Sequence, residues 1–137
     1  MPPDAELHLP LEGEDAATVL DRVHHALEEL WRTAGDVDEI DRIAVETALV
    51  EVAGNVVRHG PDGTWHGDGV HLTVRPDAVV AVARQAGPPP MLDLVPTMPS
   101  AEAESGRGLA IVAALVDVTC TAEGHGTRWT LTRRRTV

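Results

Sequence analysis

A chain of 137 residues, 43% hydrophobic, is long enough to bury a core as one domain spanning residues 1–137, and no run of about eighteen apolar residues is present to cross a membrane. Its net charge of −11 speaks against a nucleic-acid partner, because phosphate binding needs a basic surface. The lack of lysine excludes a Walker-type phosphate loop and the strand lysine of ordinary protein kinases. The lack of Phe and Tyr leaves Trp31, Trp65 and Trp129 and excludes an aromatic base-stacking platform.

The opening MPPDAELHLPLEGED is acidic and has no basic stretch before an apolar core, so it is not expected to be a signal peptide. Within it, AELHLPLE (5–12) alternates loosely and, with Pro10, predicts an edge strand. DAATVLDRVHHALEELWRTAG (15–35) places Ala17, Leu20, Val23, Leu27, Leu30 and Trp31 at helical spacing and predicts an amphipathic helix ending at Gly35. Asp36, with Glu39 three residues on, predicts the N-cap of a second helix that runs to about Arg58 and stops at Gly60–Pro61.

After the turn-rich loop 61–69, VHLTVR (70–75) puts Val70, Leu72 and Val74 on one face of a strand. AVVAVA (78–83) is a continuous apolar run, the pattern of a strand covered on both faces. GPPPMLDLVPTMPSAEAES (87–105) holds five prolines and no periodicity, and unstructured loops of that length in a compact domain are usually functional. GRGLAIVAALVD (106–117) predicts a third helix, and VTCTAEGHGTRWTLTRR (118–134) two strands joined by a turn at Gly124–Gly126. Short connections between strands, with helices gathered elsewhere in the order, imply an α+β fold. It is a two-layer α/β sandwich with a mixed, mostly antiparallel sheet and three helices on one face.

Charge and cysteine usage add context. Fourteen of the 22 acids lie in residues 1–51, whereas five arginines follow from Arg107 onward; such polarity steers a partner protein or marks a solvated acidic face. The single cysteine, Cys120, alternates with Val118 and Ala122 as a core residue would, and it suits a reducing cytoplasm. His24, His25, His66 and His71 show no metal-ligand spacing with carboxylates and read as solvated, as does the terminal Arg133–Arg135 cluster.

Three stretches carry chemistry. In LVEVAGNVVRHG (49–60), Glu51 and Asn55 share one face of an apolar helix. A carboxylate there needs company or a purpose: Asn55 or Arg58 satisfies it, or Glu51 is a general base and Asn55 a hard-oxygen ligand for Mg²⁺. Gly106 and Gly108 at a helix entrance would leave backbone amides open to an anion, or merely end a loop. Gly124–Gly126 is a hairpin signal, with Thr127 beside it.

The ordered set of VEVAGNVVRHG, the strand ending at Gly87, the long loop, SGRGLAIVAALVD and GHGT resembles the Bergerat-type (GHKL) ATPases, the superfamily of gyrase, MutL and the histidine kinases. Length and leading elements are most similar to the anti-sigma-factor serine kinases of the RsbW and SpoIIAB type. The resemblance implies ATP and Mg²⁺ as cofactors, with Glu51 activating a partner's serine hydroxyl and Asn55 holding the Mg²⁺. It also implies that Gly106, Arg107, Gly108 and Leu109 close over the phosphates, that Thr127 stands by the adenine and that residues 88–105 form a nucleotide lid. Its implied partners are a sigma factor and a small anti-anti-sigma protein of the STAS type, with a possible homodimer, in the cytoplasm.

The chain departs from that family at the first glycine box, which reads Asp-x-Gly there and Gln85–Ala86–Gly87 here. A neutral acceptor in place of a charged one puts about 1–2 kcal/mol of adenine recognition at stake, roughly tenfold in affinity. The alternative function is thus a protein-binding module that kept the fold and lost efficient nucleotide use. A detached catalytic domain of a histidine kinase is a further alternative, although no phosphoacceptor hairpin is present.

Overall fold

The computed structural model describes residues 3–89 and 104–136. Five strands and three helices follow in the order β1 (Ala5–Pro10), α1 (Ala16–Ala34), α2 (Glu39–Arg58), β2 (Gly69–Val74), β3 (Ala78–Ala86), α3 (Glu104–Leu115), β4 (Asp117–Glu123) and β5 (Gly126–Arg134). The sheet order is β1-β2-β3-β5-β4, and every described pairing is antiparallel, so the sheet is not mixed. β1 lies at the edge, as Pro10 requires. The expected lid, 88–105, falls mostly outside the described residues.

Alternation along the strands makes the two layers. Val70, Leu72 and Val74 of β2, Val79, Ala81 and Ala83 of β3, and Trp129 and Leu131 of β5 are buried under the helices. They meet Val19, Val23, Leu27 and Leu30 of α1, Leu49, Val52, Ala53 and Val56 of α2, and Leu109 and Val112 of α3. The apolar run in β3 does not mean cover on both faces: Val80 and Val82 are half-exposed on the far side. Their cross-strand partners there are Thr73 and Thr132, and His71 and Thr130, a largely β-branched surface that suits a pleated sheet without a second layer.

Local chemistry sets the helix ends. The Asp15 carboxylate accepts the Thr18 amide at 2.9 Å to cap α1, a bond that holds its carboxyl below the usual range, and Gly35 closes the helix at φ 56°. Asp36 is not the cap of α2. The helix starts after Asp38, whose side chain makes no capping bond, because Val37 first dips into the core at 2% exposure. Arg42 fastens this crossing through the carbonyls of Val37 (2.7 Å) and Gly35 (3.1 Å). α3 begins at Glu104, two residues before the glycines expected to open it.

The terminal arginines are not a solvated cluster either. Asp41, fully buried in the first turn of α2, accepts Arg133 Nε at 3.0 Å and Thr136 Oγ1 at 2.9 Å on one oxygen, and the Thr136 amide at 2.7 Å on the other. Arg133 also donates to the Leu115 carbonyl at 2.8 Å, and Arg135 bridges Asp4 and Asp36; Arg134 alone is exposed. Burial pushes the Asp41 carboxyl up, but the bonds from Thr136 and Arg133 outweigh it and leave the carboxyl below its ordinary value of 3.8. A depressed folded pKa contributes stability that is present above the unfolded value and disappears as pH falls through the folded one. Asp41→Ala should therefore cost about 3–5 kcal/mol at neutral pH, because it strands a partly buried guanidinium. In denaturant titrations the gap between wild type and the isosteric Asp41→Asn should stay constant from pH 7 to about 5, then close below pH 4.

Candidate functional site

Glu51 sits midway along α2, half-buried, where α3 crosses. The crossing is close because position 108 has no side chain. A Cβ on Gly108 would lie 2.5 Å from Glu51 Oε2, so the helix backbone rests against the carboxylate. Gly106 lies two residues nearer the helix start, among backbone amides that lack intrahelical acceptors. Leu109 turns into the core at 5% exposure, and of Arg107 only its place in α3 is described.

Asn55 follows one turn later at 5% exposure, and its amide oxygen accepts a short hydrogen bond from Arg58 Nη2. The expectation that Arg58 or Asn55 neutralises Glu51 is thus not met. The guanidinium goes to Asn55, and among the described residues neither side chain bonds the Glu51 carboxylate. Glu51 opens instead onto a groove of about 630 Å³ that it lines with Ala16, Leu20, Gly54, Val57 and Arg58. A carboxylate at the rim of a groove, with no bonded side chain among the described residues, can take a proton from a group that enters there.

A second cluster lies at the end of β3. Gln85 faces Thr127 across the β3–β5 ladder, and the Thr127 hydroxyl donates to the Gly87 carbonyl at 2.8 Å. Gly87 has φ 91°, which a side chain would resist, and Gly126 admits the Gln85 carbonyl where a Cβ would stand 2.7 Å away. The structure therefore brings Gln85, Gly87 and Thr127 together, and separately Glu51 with Gly108. Both groups lie on the helix side of the sheet, where α2 packs on β3, β5 and α3.

Sequence reasoning missed Trp129. Its indole Nε1–H donates to Gln85 Oε1 at 2.7 Å. An indole nitrogen only donates, so this bond fixes which end of the Gln85 amide is which: the oxygen is held inward by Trp129. The strand period put Trp129 on the Thr127 face, but the β3–β5 pairing that delivers it to Gln85 crosses 44 residues and leaves no local signal. Cys120 is partly buried against the core, and burial pushes its thiol up, away from the reactive thiolate.

The family model described as "Histidine kinase-like ATPase domain" matches residues 14–133. The chain belongs to that family. Membership implies a nucleotide-binding domain, and the five-stranded, three-helix sandwich is the fold expected of it. Among solved structures, that of the RsbU and RsbW domains of Rv1364c from Mycobacterium tuberculosis matches with a TM-score of 0.58 and 23% identity. The match covers 97% of this chain and 33% of that one, so this ATPase domain spans about a third of that chain's length. No curated protein matches at a significant level.

The residues fit a nucleotide unevenly. At one end are a helix start with glycines at 106 and 108, a carboxylate lining a groove, an amide oxygen and a guanidinium, a set suited to phosphates and a cation. At the other, the Gln85 oxygen is already engaged by Trp129. Gly108→Ala separates these roles from folding. Alanine favours a helix by up to about 1 kcal/mol over glycine, and only the mobile end of Glu51 must yield. The variant should hold or raise its melting temperature, while calorimetry shows nucleotide affinity falling by about tenfold.

Proposed function

We propose that this ATPase domain is a regulatory serine/threonine kinase and anti-sigma factor that acts by partner switching. It would bind a sigma factor in one state and phosphorylate a small STAS-type anti-anti-sigma protein in another, in the cytoplasm and with a possible homodimer as its working form. The observation that carries the reading is Glu51, a carboxylate that lies against the α3 backbone at Gly108 and lines a groove. ATP with Mg²⁺ would supply the transferable γ-phosphoryl group and the neutralisation of its charge. Asn55 would hold the Mg²⁺ through its amide oxygen, the atom that now accepts Arg58. A cation held there would repel the guanidinium, so Asn55 would exchange Arg58 for the metal. The groove beside Glu51 admits the partner's serine. Glu51 takes the hydroxyl proton as the new O–P bond forms and the bond to the ADP oxygen breaks.

Glu51→Gln should lower phosphotransfer to a serine-bearing partner by about 10²–10⁴-fold while calorimetric ATP affinity stays within a few-fold of wild type. Asn55→Ala should remove the Mg²⁺-dependent part of that affinity. Acid-stable label on the partner is expected; acid-labile label on a histidine would replace this reading with a histidine-kinase one.

A second reading, a protein-binding module with weak nucleotide use, is favoured by the Trp129–Gln85 bond. If the indole holds the acceptor away from the base, Gln85→Asp should raise ATP affinity about tenfold through a charged acceptor, with partner binding unchanged. Loss of ATP binding in Gln85→Asp would show instead that glutamine is the working contact, and would exclude the module reading.

A further inference from the structure

The far face of the sheet, away from the helices, carries a cluster that neither the ATPase family nor the proposed kinase reaction uses. His8 of β1 and His71 of β2 are direct cross-strand partners. Their rings stack with centroids 4.2 Å apart and planes within 14°. Asp68, just before β2, places one oxygen, Oδ2, 3.1 Å from His8 Nε2 and 3.2 Å from His71 Nε2. The three donor atoms all lie within 4.8 Å of one another.

The backbone that presents Asp68 is fixed from both sides. Gly67 and Gly69 hold φ of 132° and 124°, values that side chains rarely adopt. A Cβ on Gly69 would strike the Leu9 carbonyl at 2.1 Å, so glycine lets β1 close onto this corner. The Asp68 carbonyl then accepts the Leu11 amide at 3.3 Å, on the residue next but two after His8. The carboxylate is therefore set in place by backbone constraints that act whether or not the histidines are present.

We propose that His8, Asp68 and His71 bind a divalent cation of the zinc class. Two imidazole nitrogens and one carboxylate oxygen are borderline donors that suit Zn²⁺, Ni²⁺ or Cu²⁺; Mg²⁺ and Ca²⁺ prefer oxygen throughout. Zn–N bonds of about 2.0–2.1 Å at tetrahedral angles need the two nitrogens about 3.4 Å apart, which small rotations of two half-exposed rings supply. Three protein ligands leave the fourth position to water. The surrounding field favours a cation: Glu6 lies two residues along β1 on the same face, and Arg84 of β3, which pairs with Gly69, is engaged by Glu123 at 2.7 Å.

The ligands come from opposite ends of a long chain closure, with His8 and Asp68 60 residues apart. A cation there clips the edge strand to the sheet, and ligand linkage converts that into stability of the folded state. The sequence concealed the site because His71 and Asp68 alone are an ordinary i, i+3 pair, and the third ligand belongs to another strand.

The test is calorimetric titration of the whole, chelator-treated chain with ZnCl₂, paired with thermal melts and the visible spectrum of the Co²⁺ form. One equivalent should bind at micromolar affinity or better and raise the melting temperature by about 5–10 °C at a hundredfold excess over Kd. His8→Ala and His71→Ala should each lose the binding heat and the shift, and Asp68→Asn should weaken binding at least tenfold. All three should keep the wild-type far-ultraviolet spectrum, since the side chains are exposed or half-exposed. His66→Ala, on the neighbouring His66–Asp62 pair, should bind as wild type does. The proposal is overturned if the chelated chain gives no heat at 100 µM Zn²⁺, or if His8→Ala and His71→Ala take up zinc as the wild type does.

Discussion

Helix α2 has no fully exposed residue from Ala44 to Val57, and the rest of the molecule is arranged around that constraint. It packs on α1, α3, β3 and β5, so every polar atom it carries must be answered or left facing an opening. Asp41 is answered by Arg133 and Thr136 from the far end of the chain. Asn55 is answered by Arg58 from the next turn. Among the described residues, Glu51 meets a backbone and a groove. Two of these three positions are thus accounted for by bonds among the described residues, and Glu51 is the one that faces an opening. The same argument explains Gly108, since any side chain there would fill the space the carboxylate occupies.

The β3–β5 ladder applies a similar restriction at the other end of the site. Trp129 is the largest buried side chain of β5, and its indole hydrogen needs an acceptor in an otherwise apolar layer. Gln85 supplies it. An aspartate would accept the same bond with a charge, but it is one methylene shorter, so reach and burial together couple the identity of residue 85 to the tryptophan. The Gln85 departure is therefore not an isolated change at a ligand contact; it is half of a pair whose other half is in the core.

Much of this was legible in the sequence. Periodicity found α1, the end of α2, the inward face of β2 and the Gly124–Gly126 hairpin, because each is set by neighbours within a few residues. The motif order found the family, since its glycines mark special backbone: Gly87 at φ 91°, Gly108 against Glu51 and Gly126 against the Gln85 carbonyl. What stayed hidden was long-range. Asp41 lies 92 residues from Arg133, and Gln85 lies 44 from Trp129; no local pattern brings either pair together. β3 misled for a related reason: a run of Val and Ala marks a strand covered on both faces or a bare one lined with threonines, and only the register tells which.

The Asp41–Arg133 pair also bears on how the site is held. Arg133 donates to the Leu115 carbonyl at the end of α3 while bound to the first turn of α2. The C-terminal end of α3 is thereby fastened to α2 by a buried ion pair and a hydrogen bond. Its other end carries Gly106 and Gly108 and, at Gly108, touches α2 through the carboxylate of Glu51. Between those two contacts Leu109 and Val112 pack into the core, so α3 is held on α2 by apolar side chains as well as at its end. A side chain at position 108 would therefore displace the Glu51 carboxylate first and leave the Arg133 anchor in place.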